Sequence, residues 1–250
     1  MFEALCTVVL GPVLLVQGLY TRWTTLKLPE PTGEREGVSG AGHGLRLLIL
    51  GDSAAAGVGV ATQAEALSGQ LVAQLAEDFT VSWRLLAHSG LDTQGVRGLV
   101  EASPAERFDA VVVSVGVNDV TGRVSARQWI AGMERLIELL QRKYQARYVV
   151  VSRVPPLHAF PALPPPLRGY LGRRARHFNR RLTALVSQHA HSVLLDNELE
   201  LHRDMMAADG FHPGAAIYAL WAASLAPLLR QRLAAEPRSA QRRQVDPEPH

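Results

Sequence analysis

Three side chains in this 250-residue chain have the types that together make a nucleophile: Ser53, His212 and Asp209. A serine hydroxyl attacks once a base takes its proton, and an imidazole acting as that base needs an acceptor to hold its tautomer and stabilise its charge. Ser53 lies in "GDSAAAGVG" (51–59), directly after the apolar run "LRLLIL". The stretch "DGFHP" (209–213) supplies the other two. There, a local turn can bring the Asp209 carboxylate to one ring nitrogen of His212 and leave the other facing outward. Pro213 suits the start of a final helix. Each stretch also has a plain reading: a structural turn at 51–59, and a surface turn with a stray histidine at 209–213. A phosphate cradle is disfavoured at 51–59, because neither G-x-x-x-x-G-K-[ST] nor G-x-G-x-x-G is present and no lysine follows Gly59.

Two further stretches supply donors. "AVVVSVG" runs into "VGVND", which puts Asn118 at a strand end where its amide can donate to a developing oxyanion. "LLAHSGLDTQG" ends another strand at Ser89 and Gly90, where a glycine lets its backbone N–H approach a ligand. Asp52 adjoins Ser53 but points to the opposite side of an extended segment, so it reads as a turn-stabilising carboxylate. "HAH" (189–191) reads as a solvated helix end, and no metal is expected.

The elements that must position these residues alternate. The runs "LRLLIL", "WRLLAH", "AVVVSVG", "YVVVSRV" and "SVLLD" have the length and branching of buried parallel strands. Helical spacing between them puts Trp129, Met133, Leu136, Ile137 and Leu140 on one face, and Leu171, Ala175, Phe178, Leu182 and Leu185 on another. Ile217, Trp221, Leu225 and Leu228 suggest a last helix. The pattern predicts a doubly wound α/β sandwich. Gly51 is expected to end the first strand through its tolerance of unusual backbone angles. The stretch "VPPLHAFPALPPPLRGYL" follows the fourth strand, and Phe160 and Leu163 within it are candidate walls for a substrate. Arg173, Arg176 and Arg180, with Arg174 and Arg181 beside them, form a solvated stripe that suits anionic headgroups.

Hydrophobic residues make up 47% of the chain, enough for one sizeable core. Cys6 is the single cysteine, so there is no intrachain disulfide and no thiolate zinc site. The net charge of +3 is mild, and nothing resembles a nucleic-acid signature. Residues 4–21 carry no charge and have nearly the length of a membrane span. The chain therefore divides into an apolar helix and possible membrane anchor (1–22), a linker (23–44), a globular domain (45–234) and a polar disordered tail (235–250). Arg22, Lys27 and Arg35 flank the apolar stretch on its C-terminal side, which predicts membrane association with the domain facing the cytoplasm; a soluble cytoplasmic protein is the alternative.

In order and spacing, "GDS" (51–53), "SG" (89–90), "GVND" (116–119) and "DGFHP" (209–213) resemble the four blocks of the SGNH (GDSL-like) hydrolases. Ala54 stands where leucine often does, a departure that bears on subfamily and substrate. The absence of G-x-S-x-G disfavours an α/β-hydrolase. The resemblance implies a flavodoxin-like three-layer α/β/α sandwich with a five-stranded parallel sheet. It also implies a cofactor-free serine esterase acting on small-molecule or lipid esters. Carried over by position, Ser53 is the nucleophile, His212 the base and Asp209 its partner, with the Ser53 N–H, Gly90 and Asn118 as oxyanion donors. The alternatives are a carbohydrate O-acetylesterase and a membrane-tethered binding protein that keeps the fold without turnover.

Overall fold

Continuous β-branched and leucine runs form the middle of the sheet in the computed structural model of the chain, which describes residues 2–196 and 202–234. The strands are β1 (Glu36–Ser39), β2 (His43–Gly51), β3 (Phe79–Ala87), β4 (Ala110–Ser114), β5 (Tyr148–Ser152) and β6 (Ser192–Leu195), in spatial order β1-β3-β2-β4-β5-β6. β2 to β6 pair in parallel, the doubly wound order in which the chain reverses direction across the sheet at β2. The helices are α1 (Phe2–Thr24), α2 (Ser53–Ala56), α3 (Leu67–Leu75), α4 (Thr93–Ala102), α5 (Val117–Thr121), α6 (Ala126–Tyr144), α7 (Leu167–Val186) and α8 (Ala215–Ala234).

Both faces of the sheet are buried, as the unbroken apolar strands require. Leu48, Leu50, Val111, Val113, Val149 and Val151 meet α4, α6 and α7, where Trp129 stacks on Phe178 at 4.9 Å. The alternate residues Leu47, Ile49, Val112 and Val150 meet α3 and α8. Three layers result. α6 starts on a capping box in which Ser125 and Gln128 satisfy each other's backbone N–H groups. The buried side chains of α8 include Ile217, Tyr218, Trp221, Leu225 and Leu229; Leu228 is only partly buried.

The sheet has six strands, not five. β1 comes from the stretch expected to be a linker and lies antiparallel on β3. Its sequence "EGVS" is short and mostly exposed, so no hydrophobic alternation marks it. What holds it is edge pairing, helped by an ion pair from Arg84 Nε to Glu36 at 3.0 Å. The tail 235–250, expected to be disordered, lies outside the described residues.

α1 departs from the expected anchor. Among the described residues no helix is long and apolar enough to cross a membrane, which removes the basis for a spanning orientation with a cytoplasmic domain. The helix instead lies on the domain. Leu14 is buried in the core, and Gln17 donates to the Pro165 carbonyl at 2.9 Å while accepting from the Leu167 N–H at 3.1 Å. Its outer face, including Leu15, Val16, Leu19, Tyr20 and Trp23, is exposed.

Candidate active site

β2 stops where β4 comes too close for a side chain. A Cβ on Gly51 would sit 2.0 Å from the Ser114 carbonyl oxygen, so this position needs glycine for space. Its φ lies outside the left-handed range, which corrects the expectation that backbone tolerance explains it. Asp52 then caps α2, accepting the Ala54 N–H at 3.1 Å, and Ser53 opens the helix. Gly51 is paired with Ala87 of β3 on one side and Ser114 of β4 on the other. Three neighbouring strands therefore end level, and Ser53, Gly90 and Asn118 follow those ends by two, three and four residues. This is the carboxyl edge at the switch in strand order, where open α/β sheets bind ligands.

The turn before α8 completes the constellation. Asp209 Oδ1 accepts the N–H groups of Phe211 and His212, each at 2.9 Å, and its Oδ2 meets His212 Nδ1 at 2.5 Å. Gly210, with φ +63°, allows this tight geometry. His212 Nε2 lies 2.9 Å from Ser53 Oγ. Burial pushes the Asp209 carboxyl up, but the bonds from the His212 ring and from the two N–H groups outweigh it, so its pKa is lowered. Such an Asp–His–Ser chain can remove the serine proton as the hydroxyl attacks a carbonyl and hold the charge that forms on the ring.

The donor loops are linked to one another. Gly90 adopts φ +83° with open space in front of it, and Asn118 Nδ2 donates to the Leu91 carbonyl at 2.8 Å. Below them, buried Asp119 accepts from the Thr93 N–H at 3.0 Å and from its hydroxyl at 2.9 Å, and that hydroxyl also receives the Trp129 indole N–H. Sequence reasoning passed over Asp119 and Thr93, although Asp119 stands next to Asn118 in "GVND".

A cavity of about 1510 Å³ opens on Ser53 and His212, with Phe160, Phe211, Tyr170 and Leu14 among its walls. Phe211 sits edge-on to Phe160 at 5.2 Å and to the His212 ring at 5.4 Å, joining wall and base into one packed unit. Leu163 does not line this cavity; it is buried in the core beneath the loop. Arg173, Arg176 and Arg180 border the cavity with exposed side chains, whereas Arg174 folds back onto the Val124 carbonyl and over the Phe178 ring.

Residues 49–220, more than half of the chain, match the GDSL-like lipase/acylhydrolase family. The chain belongs to that family. A GDSL-like esterase of Mycobacterium tuberculosis is 32% identical over an alignment of 201 residues that covers 76% of this chain and 63% of the relative. This GDSL-like chain thus spans less than two thirds of that relative's length. A carbohydrate esterase family 2 enzyme of Corynascus thermopiles (Myceliophthora fergusii) shares the fold with a TM-score of 0.64 at 16% identity, over 82% of this chain and 69% of that one. A member of the lipolytic G-D-S-L family from Veillonella parvula does so with a TM-score of 0.59 at 17% identity, over 74% and 98%. The matched residues run from the end of β2 into the first turns of α8, while α1, β1 and most of α8 lie outside them.

Proposed function

We propose that this chain is a serine ester hydrolase working through an acyl-enzyme on acyl or lipid-like carboxylic esters. The observation that carries the reading is the continuous chain from Asp209 Oδ2 to His212 Nδ1 at 2.5 Å and from His212 Nε2 to Ser53 Oγ at 2.9 Å. Ser53 Oγ attacks the ester carbonyl, and His212 Nε2 takes its proton and passes it to the leaving alkoxide. Asp209 holds the ring and offsets its charge. The Ser53 and Gly90 N–H groups and the Asn118 amide receive the negative charge on the carbonyl oxygen. Water, deprotonated by the same imidazole, then releases the acid.

The aromatic and aliphatic walls at Phe160, Phe211, Tyr170 and Leu14 support an acyl chain rather than a sugar. Incubation with a fluorophosphonate followed by peptide mass spectrometry should place the adduct on Ser53. Label on another residue of an active preparation would refute the assignment. A series of p-nitrophenyl esters should show higher kcat/KM as the acyl chain lengthens beyond acetate. A preference for acetyl groups carried on sugars would favour a carbohydrate O-acetylesterase, and no turnover a binding protein.

Peripheral contact with an anionic membrane belongs to the same proposal. The exposed apolar face of α1 supports it, together with Arg173, Arg176 and Arg180, which are exposed and have no acidic partner among the described residues. Apolar burial plus nearby cations is the combination that holds a helix in a lipid interface. The protein should sediment with phosphatidylglycerol vesicles, and the double variant Leu15→Asp, Leu19→Asp should not. A wild-type protein that stays in the supernatant would refute membrane contact.

A further inference from the structure

We infer that Glu30, in the connector before β1, is a positioning residue for the oxyanion loop. The inference rests on the proposed use of the Gly90 N–H as an oxyanion donor. Glu30 lies outside the residues matched to the family, and the sequence places it among prolines and glycines with no sign of a role.

The loop from His88 to Asp92 is held at both ends. Glu30 Oε1 accepts the Ser89 N–H at 2.7 Å, one peptide before the donor. Asn118 holds the Leu91 carbonyl at 2.8 Å, one residue after Gly90. Between these anchors Gly90 has a positive φ and open space where a Cβ would stand, so no side-chain packing holds the chain there. Each peptide plane is rigid, so the Ser89 and Gly90 N–H groups lie in adjacent planes separated only by the φ and ψ of Ser89. Holding the Ser89 N–H on one side and the Leu91 carbonyl on the other therefore narrows the range over which the Gly90 amide can turn.

Glu30 is itself held. Arg35 Nη1 pairs with Glu30 Oε2 at 3.0 Å, and Arg35 Nη2 donates to the carbonyl of Ala87, the last residue of β3. The Arg35 carbonyl accepts the Leu85 N–H at 2.6 Å. Glu30 and Arg35 thus grip the end of β3 and the start of the loop together. The same connector is also held to the segment between α2 and α3, where the Gln63 N–H donates to the Thr32 carbonyl at 2.8 Å. A half-buried carboxylate on a backbone N–H is a strong, directional bond, and here its target adjoins the proposed donor.

The test compares Glu30→Ala, Glu30→Gln and Ser53→Ala on p-nitrophenyl esters of short and long acyl chain. Glu30→Ala should lower kcat about 10-fold with KM within about twofold, by the same factor for every chain length, because a misdirected oxyanion donor affects the transition state and not substrate burial. Glu30→Gln keeps an acceptor oxygen and should recover to within about threefold of wild type. Should Glu30→Ala not fold, Glu30→Met, which keeps the side-chain length without an acceptor, is compared with Glu30→Gln by the same criterion. Unchanged kcat in the variant lacking an acceptor overturns the inference, as does a loss confined to KM or to one chain length. Activity retained in Ser53→Ala would instead overturn the reading of the site, so the two failures are distinct.

Discussion

Asp52 and Asp209 are both buried at the same edge of the sheet, and both feel the charge of His212, yet their carboxyls are displaced in opposite directions. Burial raises the pKa of Asp52 to about 7, because the Ala54 N–H and the nearby imidazole recover only part of what desolvation costs the carboxylate. Asp209 has the His212 ring and the N–H groups of Phe211 and His212 turned toward it, and its pKa falls. Asp119 lies between them: the N–H and hydroxyl of Thr93 oppose burial, and its pKa is still raised. Burial is the largest influence on each, and which carboxylate stays charged depends on whether the donors aimed at it outweigh that burial; the tight turn at Gly210 aims enough of them at Asp209.

The largest effect should come from the charged member of the pair. Asp209→Asn keeps the shape but presents an amide to His212 Nδ1, favouring the wrong tautomer, and kcat should fall about 10⁴-fold. A loss under tenfold would break the contrast, since Asp209 would then be no more than a turn residue. The sign of the pH effect on folding also follows. A carboxyl with a lowered folded pKa contributes stability above its unfolded value of 3.8 and loses it as pH falls through the folded pKa. Chemical denaturation at descending pH should show that acid-side loss in wild type and a smaller one in Asp209→Asn.

The neutral donors come next in size. Asn118→Ala should lower kcat by about 10²–10³ with little change in KM, the loss expected for one oxyanion donor. It also releases the Leu91 carbonyl, so a rise in KM would assign Asn118 to holding the loop and leave the negative charge to the backbone N–H groups.

The residues that the sequence made legible are those whose neighbours along the chain determine them. Val111, Val112 and Val113 read as a buried strand because a run of branched residues suits little else, and Asp209 and His212 read as a pair because one turn joins them. What stayed hidden depends on contacts across the fold. Glu30 meets the Ser89 backbone 59 residues away, and a backbone N–H leaves no mark in the sequence to point back at its acceptor. Gly51 signalled a turn, whereas its reason is the Ser114 carbonyl beside it. Gln17 stands alone as a polar amide in the apolar run 4–21, and it is what bonds α1 to the Pro165 and Leu167 backbone. Leu163 had the right polarity for a substrate wall, but polarity alone does not separate a cavity wall from the core behind it.

The smallest catalytic effect, and the sharpest test of the comparison, belongs to Asp52→Asn. Below pH 7 the folded chain holds Asp52 largely protonated, and asparagine has nearly the shape of a protonated aspartate and can still accept the Ala54 N–H as a helix cap. Turnover should therefore stay within about threefold of wild type, since Asp52 lies beside the proposed proton path and not on it. Stability should respond instead. Between the unfolded pKa of 3.8 and the folded value of about 7, the unfolded chain has released a proton that the folded chain retains, so folding weakens as pH rises through that window. At about 1.36 kcal/mol per pH unit the full window amounts to on the order of 4 kcal/mol, and above it the penalty is constant. Asparagine cannot ionise, so urea melts of wild type and variant should nearly coincide at pH 4 and separate in the variant's favour up to pH 8. An offset that is the same at every pH would mean that Asp52 stays charged in the folded chain. The donors around Asp52 would then outweigh its burial, as they do at Asp209.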